Sequence, residues 1–309
     1  PSGSVFRWQP CGPPDSLAGC PTGDRPTELH TQVCYGNQTM QPSGSSPLQH
    51  SHALPLIGPH TALFLDFDGT LVDLAAQPEA VQITPDVIPT LQQLATALNG
   101  ALAIVSGRQL ANLDSLLAPL QLPVAAEHGA QRRLVSGEIM QLAAPDLRDV
   151  IHQLDALAQR HRGLRVEIKT AAVALHYRHA PELEDLCLQA MTDAANAAAN
   201  VELLHGKCVF EIKPAGINKG TAIAAFMAQP PFMGRLPVFA GDDVTDEPGF
   251  AVTQQLGGYG IKVGAGTTQA VCHCASPLAL RQWLQSARQG LASSHPGYLV
   301  PEPSGRISR

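Results

Sequence analysis

The sequence predicts an α/β fold: a Rossmann-like parallel-sheet core, interrupted by an inserted α+β module. Three observations predict it. Short, wholly apolar runs recur at Ala62–Leu65, Ala101–Val105, Val124–Ala126, Pro237–Ala240 and Ile261–Val263, each of strand length and without polar alternation, as in strands buried on both faces. Helical apolar periodicity alternates with these runs. Between residues 131 and 212 the pattern changes to strict two-residue alternation, the mark of an antiparallel sheet with one polar face.

The elements follow in order. After Ala62–Leu65, residues Val87, Leu91, Leu94 and Leu98 share one helical face, with Pro85 and Asp86 at its start. Ala101–Val105 ends at Ser106-Gly107-Arg108, and a helix carrying Leu110, Leu113 and Leu117 follows. Val124–Ala126 ends at Glu127-His128-Gly129. Gln131–Leu134 and Glu138–Leu142 flank Ser136-Gly137 and read as a hairpin. A helix follows, with Leu147, Ile151, Leu154 and Leu157 at helical spacing, then alternating strands over Arg165–Lys169 and Val173–Arg178, an Ala-rich helix over Pro181–Asn200, and a second hairpin of Val201–Leu204 and Lys207–Ile212. The α/β pattern then resumes. A helix opens at Lys219-Gly220 and carries Ile223 and Phe226, the two later strands follow, and a last helix near Leu278–Leu284 packs Trp283.

These elements divide the chain into a core at 59–130 and 213–290 and an inserted cap at 131–212. Residues 1–58 and 291–309 are rich in Pro, Gly and Ser and read as disordered, with Met40 an alternative start. The 309 residues are 44% hydrophobic, enough for one large domain or two ordinary ones, and the net charge of -6 argues against a nucleic-acid partner. No apolar run reaches the length of a membrane span and no signal peptide is visible, so a cytoplasmic location is expected. The seven cysteines form no CxxC pair, and Cys272-His273-Cys274 has no matching second half. Reduced thiols are expected rather than a zinc site.

Polar clusters stand just past the C-terminal ends of apolar strands: Asp66-Phe67-Asp68-Gly69-Thr70, Ser106-Gly107-Arg108 and Gly241-Asp242-Asp243. In open α/β sheets the ligand site lies at those ends, so segments distant in sequence are expected to converge on one pocket. Each piece alone has an ordinary reading, as a solvated acidic loop, a helix cap or a surface lysine. Together they fit phosphoryl transfer. Asp66 and Asp242, with the Asp68 backbone carbonyl, offer hard oxygen ligands for Mg²⁺. Thr70, Ser106 and the backbone after it offer phosphate contacts. Lys219 supplies a fixed cation. Asp66 is the expected nucleophile and Asp68 the acid and base. A phospho-receiver module would not need Asp68 or the insertion.

The set DFDGT at 66–70, Ser106, Lys219 and GDDVTDE at 241–247 resembles the four motifs of the haloacid dehalogenase superfamily of phosphatases. More closely, LFLDFDGTL, IVSGR, HGA, LHYR, CVFEIKP, NKG and FAGDDVTDE together resemble the trehalose-6-phosphate phosphatases over about residues 60–290. The resemblance implies the superfamily's core and cap, a Mg²⁺ requirement and an aspartyl-phosphate. It matches Asp66 to the nucleophile, Asp68 to the acid/base, Asp242 to the metal ligand and Lys219 to the phosphate lysine. It also implies trehalose 6-phosphate as substrate, with another sugar phosphate as the alternative, and a place after a trehalose-6-phosphate synthase.

Strand alternation puts Arg165, Glu167 and Lys169 on one face of the cap sheet, with Ala174, His176 and Arg178, and with Glu211 and Lys213, on the polar faces of their own strands. Lys169, His176, Arg178 and Glu211 are therefore the expected sugar contacts, with Glu127, His128, Gly107 and Arg108 facing the same cleft from the core. Cap closure is expected to exclude water, with hinges at Pro214, Gly216 and the Gly129 region.

Overall fold

The computed structural model describes residues 53–75 and 77–294. The readings made on residues 1–52 and 295–309, the Met40 start among them, lie outside the described residues. The chain runs β1 (Thr61–Leu65), α1 (Val87–Ala97), β2 (Leu102–Val105), α2 (Leu110–Leu117), β3 (Val124–Ala126), β4 (Gln131–Arg133) and β5 (Ile139–Gln141). The insertion follows as α3 (Arg148–Arg160), β6 (Arg165–Ile168), β7 (Val173–His176), α4 (Glu184–Ala197), β8 (Val201–Gly206) and β9 (Val209–Pro214). The chain returns through α5 (Lys219–Met227), β10 (Leu236–Gly241), α6 (Glu247–Gln255), β11 (Tyr259–Val263), β12 (Cys272–Cys274) and α7 (Pro277–Ser294).

The core sheet has the order β12-β11-β10-β1-β2-β3-β4-β5. Its first six strands are mutually parallel. All five residues of β1 and all four of β2 are buried, which is why these strands read as unbroken apolar runs. Helices cover the sheet, α1 packing against α7 and α5 against α6. Phe64 on β1 lies 6.1 Å, centroid to centroid, from Phe226 of α5, and 5.3 Å from Phe232 beyond it. Burying such a ring contributes about 1.5–3 kcal/mol.

The cap sheet is antiparallel throughout, in the order β6-β7-β9-β8. Val173, Leu175, Phe210 and Ile212 on one face pack with Leu154 and Leu157 of α3 and Cys187 and Met191 of α4. The alternation in sequence therefore reports the true faces of this sheet.

Four expectations are corrected. The hairpin β4–β5 belongs to the core sheet, pairing antiparallel with β3, so the cap sheet has four strands rather than six. Left-handed backbone at Glu127, His128 and Gly129 (φ 48, 58 and 111) folds the chain back beside β3, and alternation alone does not name a strand's partner. Helix α7 extends to Ser294 and buries Leu291, past the expected start of the tail. Ordered chain also begins before residue 59: Ile57 is buried, and the Trp283 indole donates to the Pro55 carbonyl at 3.2 Å. Finally, β12 and α6 were not anticipated. Cys272-His273-Cys274 is an edge strand paired with β11, its two cysteines buried and free. Among the described residues no helix is long and apolar enough to cross a membrane.

Helix α5 approaches α6 so closely at Gly220 that a Cβ there would run into the Pro248 carbonyl oxygen. Gly220→Ala is therefore expected to destabilise the fold by about 1–3 kcal/mol through overpacking. Equilibrium urea unfolding measures this.

Candidate active site

The backbone N–H of Asp66 still belongs to the sheet, donating to the Ala240 carbonyl of β10 at 2.9 Å. The chain then turns through Gly69, at φ 75, and the Asp242 carboxylate fills the space where a Cβ would stand. Only glycine allows this approach of two strand ends. Carboxylate oxygens of Asp66, Asp242 and Asp246 all lie within 4.8 Å of one another. Acids 176 positions apart in the chain thus meet, as the strand-end argument expected. The Thr70 hydroxyl sits beneath them, fully buried, 3.2 Å from Asp66 Oδ2 and 3.3 Å from Asp242 Oδ1. It braces the acids and does not face the cleft, which corrects its reading as a phosphate contact.

Lys219 begins α5, whose start is fixed by the reciprocal Asn218–Thr221 capping box. Its ammonium is buried and donates to Asp66 Oδ1 and Asp246 Oδ1, at 2.6 Å each. Asp246 Oδ2 accepts the backbone N–H groups of Asp242 and Asp243, at 2.9 Å each. Asp246 is wholly buried, and sequence reasoning had treated it only as part of an acidic loop. The Lys262 ammonium from β11, also unanticipated, donates to the Asp242 carbonyl. Asp246 lies within the GDDVTDE motif without having been given a role, whereas Lys262 belongs to no motif.

The electrostatics follow from burial. Desolvation pushes the Asp66 carboxyl well above the usual range; Lys219 pulls it back, while Asp246 and Asp242 push it further up. Asp242 is raised by burial and by Asp246. Burial opposes the Lys219 ammonium, but Asp246 and Asp66 outweigh it and hold its pKa above the usual lysine range. Asp66 and Asp246 share this buried ammonium, Asp242 stands beside them, and the donor set of the three is hard oxygen. The cluster fits a divalent cation.

Arg108 forks onto Asp68, with Nε 2.6 Å from Oδ2 and Nη2 2.7 Å from Oδ1, and lies over the Phe67 ring. Such bidentate pairs fix both partners in one plane. The Ser106 hydroxyl oxygen accepts the Arg108 N–H at 3.2 Å, shaping the turn after β2. The buried His128 ring packs against Gly107, with Nε2 3.8 Å from Glu211 Oε1. Burial, then Lys169, Lys219 and Lys213, hold its pKa well below the usual histidine range.

The polar face of the cap closes over these groups. Lys169 Nζ donates to Glu211 Oε2 at 2.5 Å and to the Gly107 carbonyl at 3.0 Å. His176 Nε2 lies 2.7 Å from Glu167 Oε2, and this bond draws the Glu167 pKa down to about 2. Arg178 reaches the Lys207 carbonyl at 3.3 Å. Lys207, at the β8–β9 turn, extends its ammonium to 3.8 Å from Asp242 Oδ2. Glu211 Oε1 is buried without a hydrogen-bond partner. Core and cap together enclose a cavity of about 400 Å³. Every expected site residue except Thr70 and Glu127 lines it. Glu167 and Lys207 line it too and were not among the expected contacts; strand alternation had placed Glu167 on the polar face, whereas no pattern marked Lys207.

Comparison with known proteins supports the same reading. The trehalose-phosphatase family matches residues 64–279. The trehalose-6-phosphate phosphatase of Escherichia coli K12 is 43% identical over 233 residues, spanning 75% of this chain and 88% of that protein. A bifunctional trehalose-6-phosphate synthase/phosphatase of Thermoproteus tenax is 35% identical over 235 residues, 73% of this chain and 32% of the larger protein. The C-terminal domain of Candida albicans trehalose-6-phosphate phosphatase has the same fold, with a TM-score of 0.67 at 22% identity over 75% of this chain and 92% of that domain. With its acids gathered at the strand ends beneath a polar cap, the chain belongs to the trehalose-phosphatase family.

Proposed function

We propose that this chain hydrolyses trehalose 6-phosphate to trehalose and inorganic phosphate through an aspartyl-phosphate on Asp66, with Mg²⁺ as its cofactor. The observation that carries the reading is the meeting of Asp66 and Asp242 beneath a cavity roofed by the polar face of the cap. Asp66 and Asp242, with Asp246 beside them, would hold the ion. Bound there, Mg²⁺ neutralises phosphate charge so that a carboxylate can approach an anion.

The residues take the following parts. An Asp66 carboxylate oxygen attacks phosphorus, and the bond from phosphorus to the sugar oxygen breaks. Asp68 gives a proton to that leaving oxygen. Asp68 then takes a proton from the water that attacks the aspartyl-phosphate, and the bond between phosphorus and Asp66 breaks. Arg108 holds Asp68 in line for both transfers. Lys219 fixes Asp66 and offers positive charge close to the transferring group. Ser106 and Gly107 face the phosphate. Lys169, His176, Arg178 and Glu211 face the sugar, Glu211 Oε1 offering an acceptor that no protein group uses. The cavity falls in the range of small-molecule sites, about 300–1,000 Å³, and suits a disaccharide phosphate rather than a polymer. We place the reaction in the cytoplasm, after a glycosyl-transfer step carried out by a synthase; the two-activity relative of Thermoproteus tenax supports that order.

Asp66→Asn is expected to lower phosphate release from trehalose 6-phosphate by at least about a thousandfold, with circular dichroism unchanged. Removing divalent cations with EDTA is expected to abolish release, and added Mg²⁺ to restore it; activity surviving exhaustive chelation excludes the cofactor assignment. In a panel with glucose 6-phosphate and sucrose 6-phosphate, trehalose 6-phosphate is expected to give the highest kcat/KM by about tenfold or more, as loss of several sugar contacts implies. A higher value for another member reassigns the substrate.

A further inference from the structure

Glu127 stands apart from the other expected site residues. It is 2% exposed and lines no part of the cavity. Its Oε1 accepts the N–H of Thr170 at 3.0 Å and its Oε2 that of Ala171 at 2.9 Å. Those amides form the turn between β6 and β7, which belongs to the cap. The Glu127 backbone N–H donates to the Arg108 carbonyl at 2.9 Å. One buried core residue thus ties the cap turn to the loop whose guanidinium holds Asp68. It does so from left-handed backbone, φ 48, which residues of its type seldom adopt.

The two ends of the cap sheet are held differently. Register pairs Val173 with Ile212 at one end and His176 with Val209 at the other. At the first end, beside Glu127, the Lys169 ammonium donates to the Gly107 carbonyl at 3.0 Å and Gln109 to the Ile168 carbonyl at 3.2 Å. There too Lys213 donates to Glu202 and to the Ile217 carbonyl, bracing the segment by which the chain leaves the cap. At the other end the links to the core are ion pairs made by exposed cap side chains, with the Asp242 carboxylate itself mostly buried. Arg165 meets Glu79 at 3.1 Å with side chains 46% and 64% exposed, and Lys207, 60% exposed, lies 3.8 Å from Asp242. Charge-assisted bonds of a buried carboxylate are strong, whereas exposed ion pairs are weak and salt-screened.

We infer that Glu127 is a positioning residue: its carboxylate is the pivot on which the cap swings, and it sets Lys169, adjacent to Thr170, against the bound sugar. The free end at Lys207 opens and closes over Asp242. The inference rests on the proposed function for what the cap closes upon. It reassigns Glu127 from substrate contact to structural pin.

Glu127→Gln keeps the side-chain size but sets an NH₂ group against one of the two amides. Amide hydrogen exchange of the unliganded variant is expected to rise at least about tenfold at Thr170 or Ala171, with β1 and β2 unchanged. The KM for trehalose 6-phosphate is expected to rise about tenfold while kcat changes less than about threefold, because Lys169 shifts and Asp66 does not. Wild-type exchange at both amides, or an unchanged KM in a variant of an active wild type, overturns the pivot. A rise in exchange spread equally over the core sheet also overturns it, since that is loss of stability. If the wild type leaves trehalose 6-phosphate intact, the proposed function fails, and the exchange comparison still judges the pivot by itself. Should Glu127→Gln fail to fold, Glu127→Asp, which keeps the charge and withdraws the oxygens by one methylene, carries the same two readouts.

Discussion

The buried ammonium of Lys219 makes the rest of the site possible. Asp66 and Asp246 share it, at 2.6 Å each; Asp246 is wholly buried and Asp66 meets only the cavity. Without that cation the low-dielectric space at the end of β1 would force the carboxyls to neutralise or to separate. Asp246 uses its second oxygen to hold the backbone at Asp242 and Asp243, so the same ion pair also shapes the loop after β10. Thr70 and Gly69 then let Asp242 close against Asp66. One ammonium, placed by a capped helix start, therefore organises two loops, after β1 and after β10. Each loop leaves a strand whose position is set by the apolar packing of the core.

The cap obeys a different constraint. Its sheet must bury one face against α3 and α4, which leaves the other face polar and free to meet the core. That face carries a dense set of partners already paired with one another, such as Lys169 with Glu211 and His176 with Glu167. Groups held in this way are preorganised for hydroxyl recognition, and Glu211 retains a buried acceptor with nothing to accept from. Burial, and then the lysines around it, hold the His128 pKa low, and its ring meets the same cleft. In the proposed function, substrate recognition and phosphoryl chemistry are divided between two sheets. The cleft between them is held at one end by the buried Glu127 carboxylate and at the other by ion pairs with exposed cap side chains.

Much of this was legible in the chain. A strand buried on both faces must be apolar throughout, so β1, β2, β3, β10 and β11 announced themselves, and the polar groups after them marked the ligand side of the sheet. A half-buried strand must alternate, so the two faces of β6, β7 and β9 were readable residue by residue. Less was legible wherever a residue's partner lay far along the chain. Lys262 looks like an ordinary surface charge in sequence, and Asp246, though within GDDVTDE, shows no sign there of its bond to Lys219. Thr70 and Glu127 stand next to site motifs, yet one braces the acids from below and the other grips backbone amides of the cap. The hairpin β4–β5 alternates like a cap strand but pairs with β3, because a left-handed turn decides its neighbour.

By itself, then, the sequence determined which segments are strands and helices, which face of each is apolar, and which acids stand at strand ends. These depend on local periodicity and on the chemistry of single side chains. Tertiary structure alone decided that Lys219 lies between Asp66 and Asp246, that Arg108 clasps Asp68, and that Glu127 belongs to the cap as much as to the core. Those facts depend on the distance between residues tens to hundreds of positions apart, and that distance follows from how the layers pack, which no local pattern records.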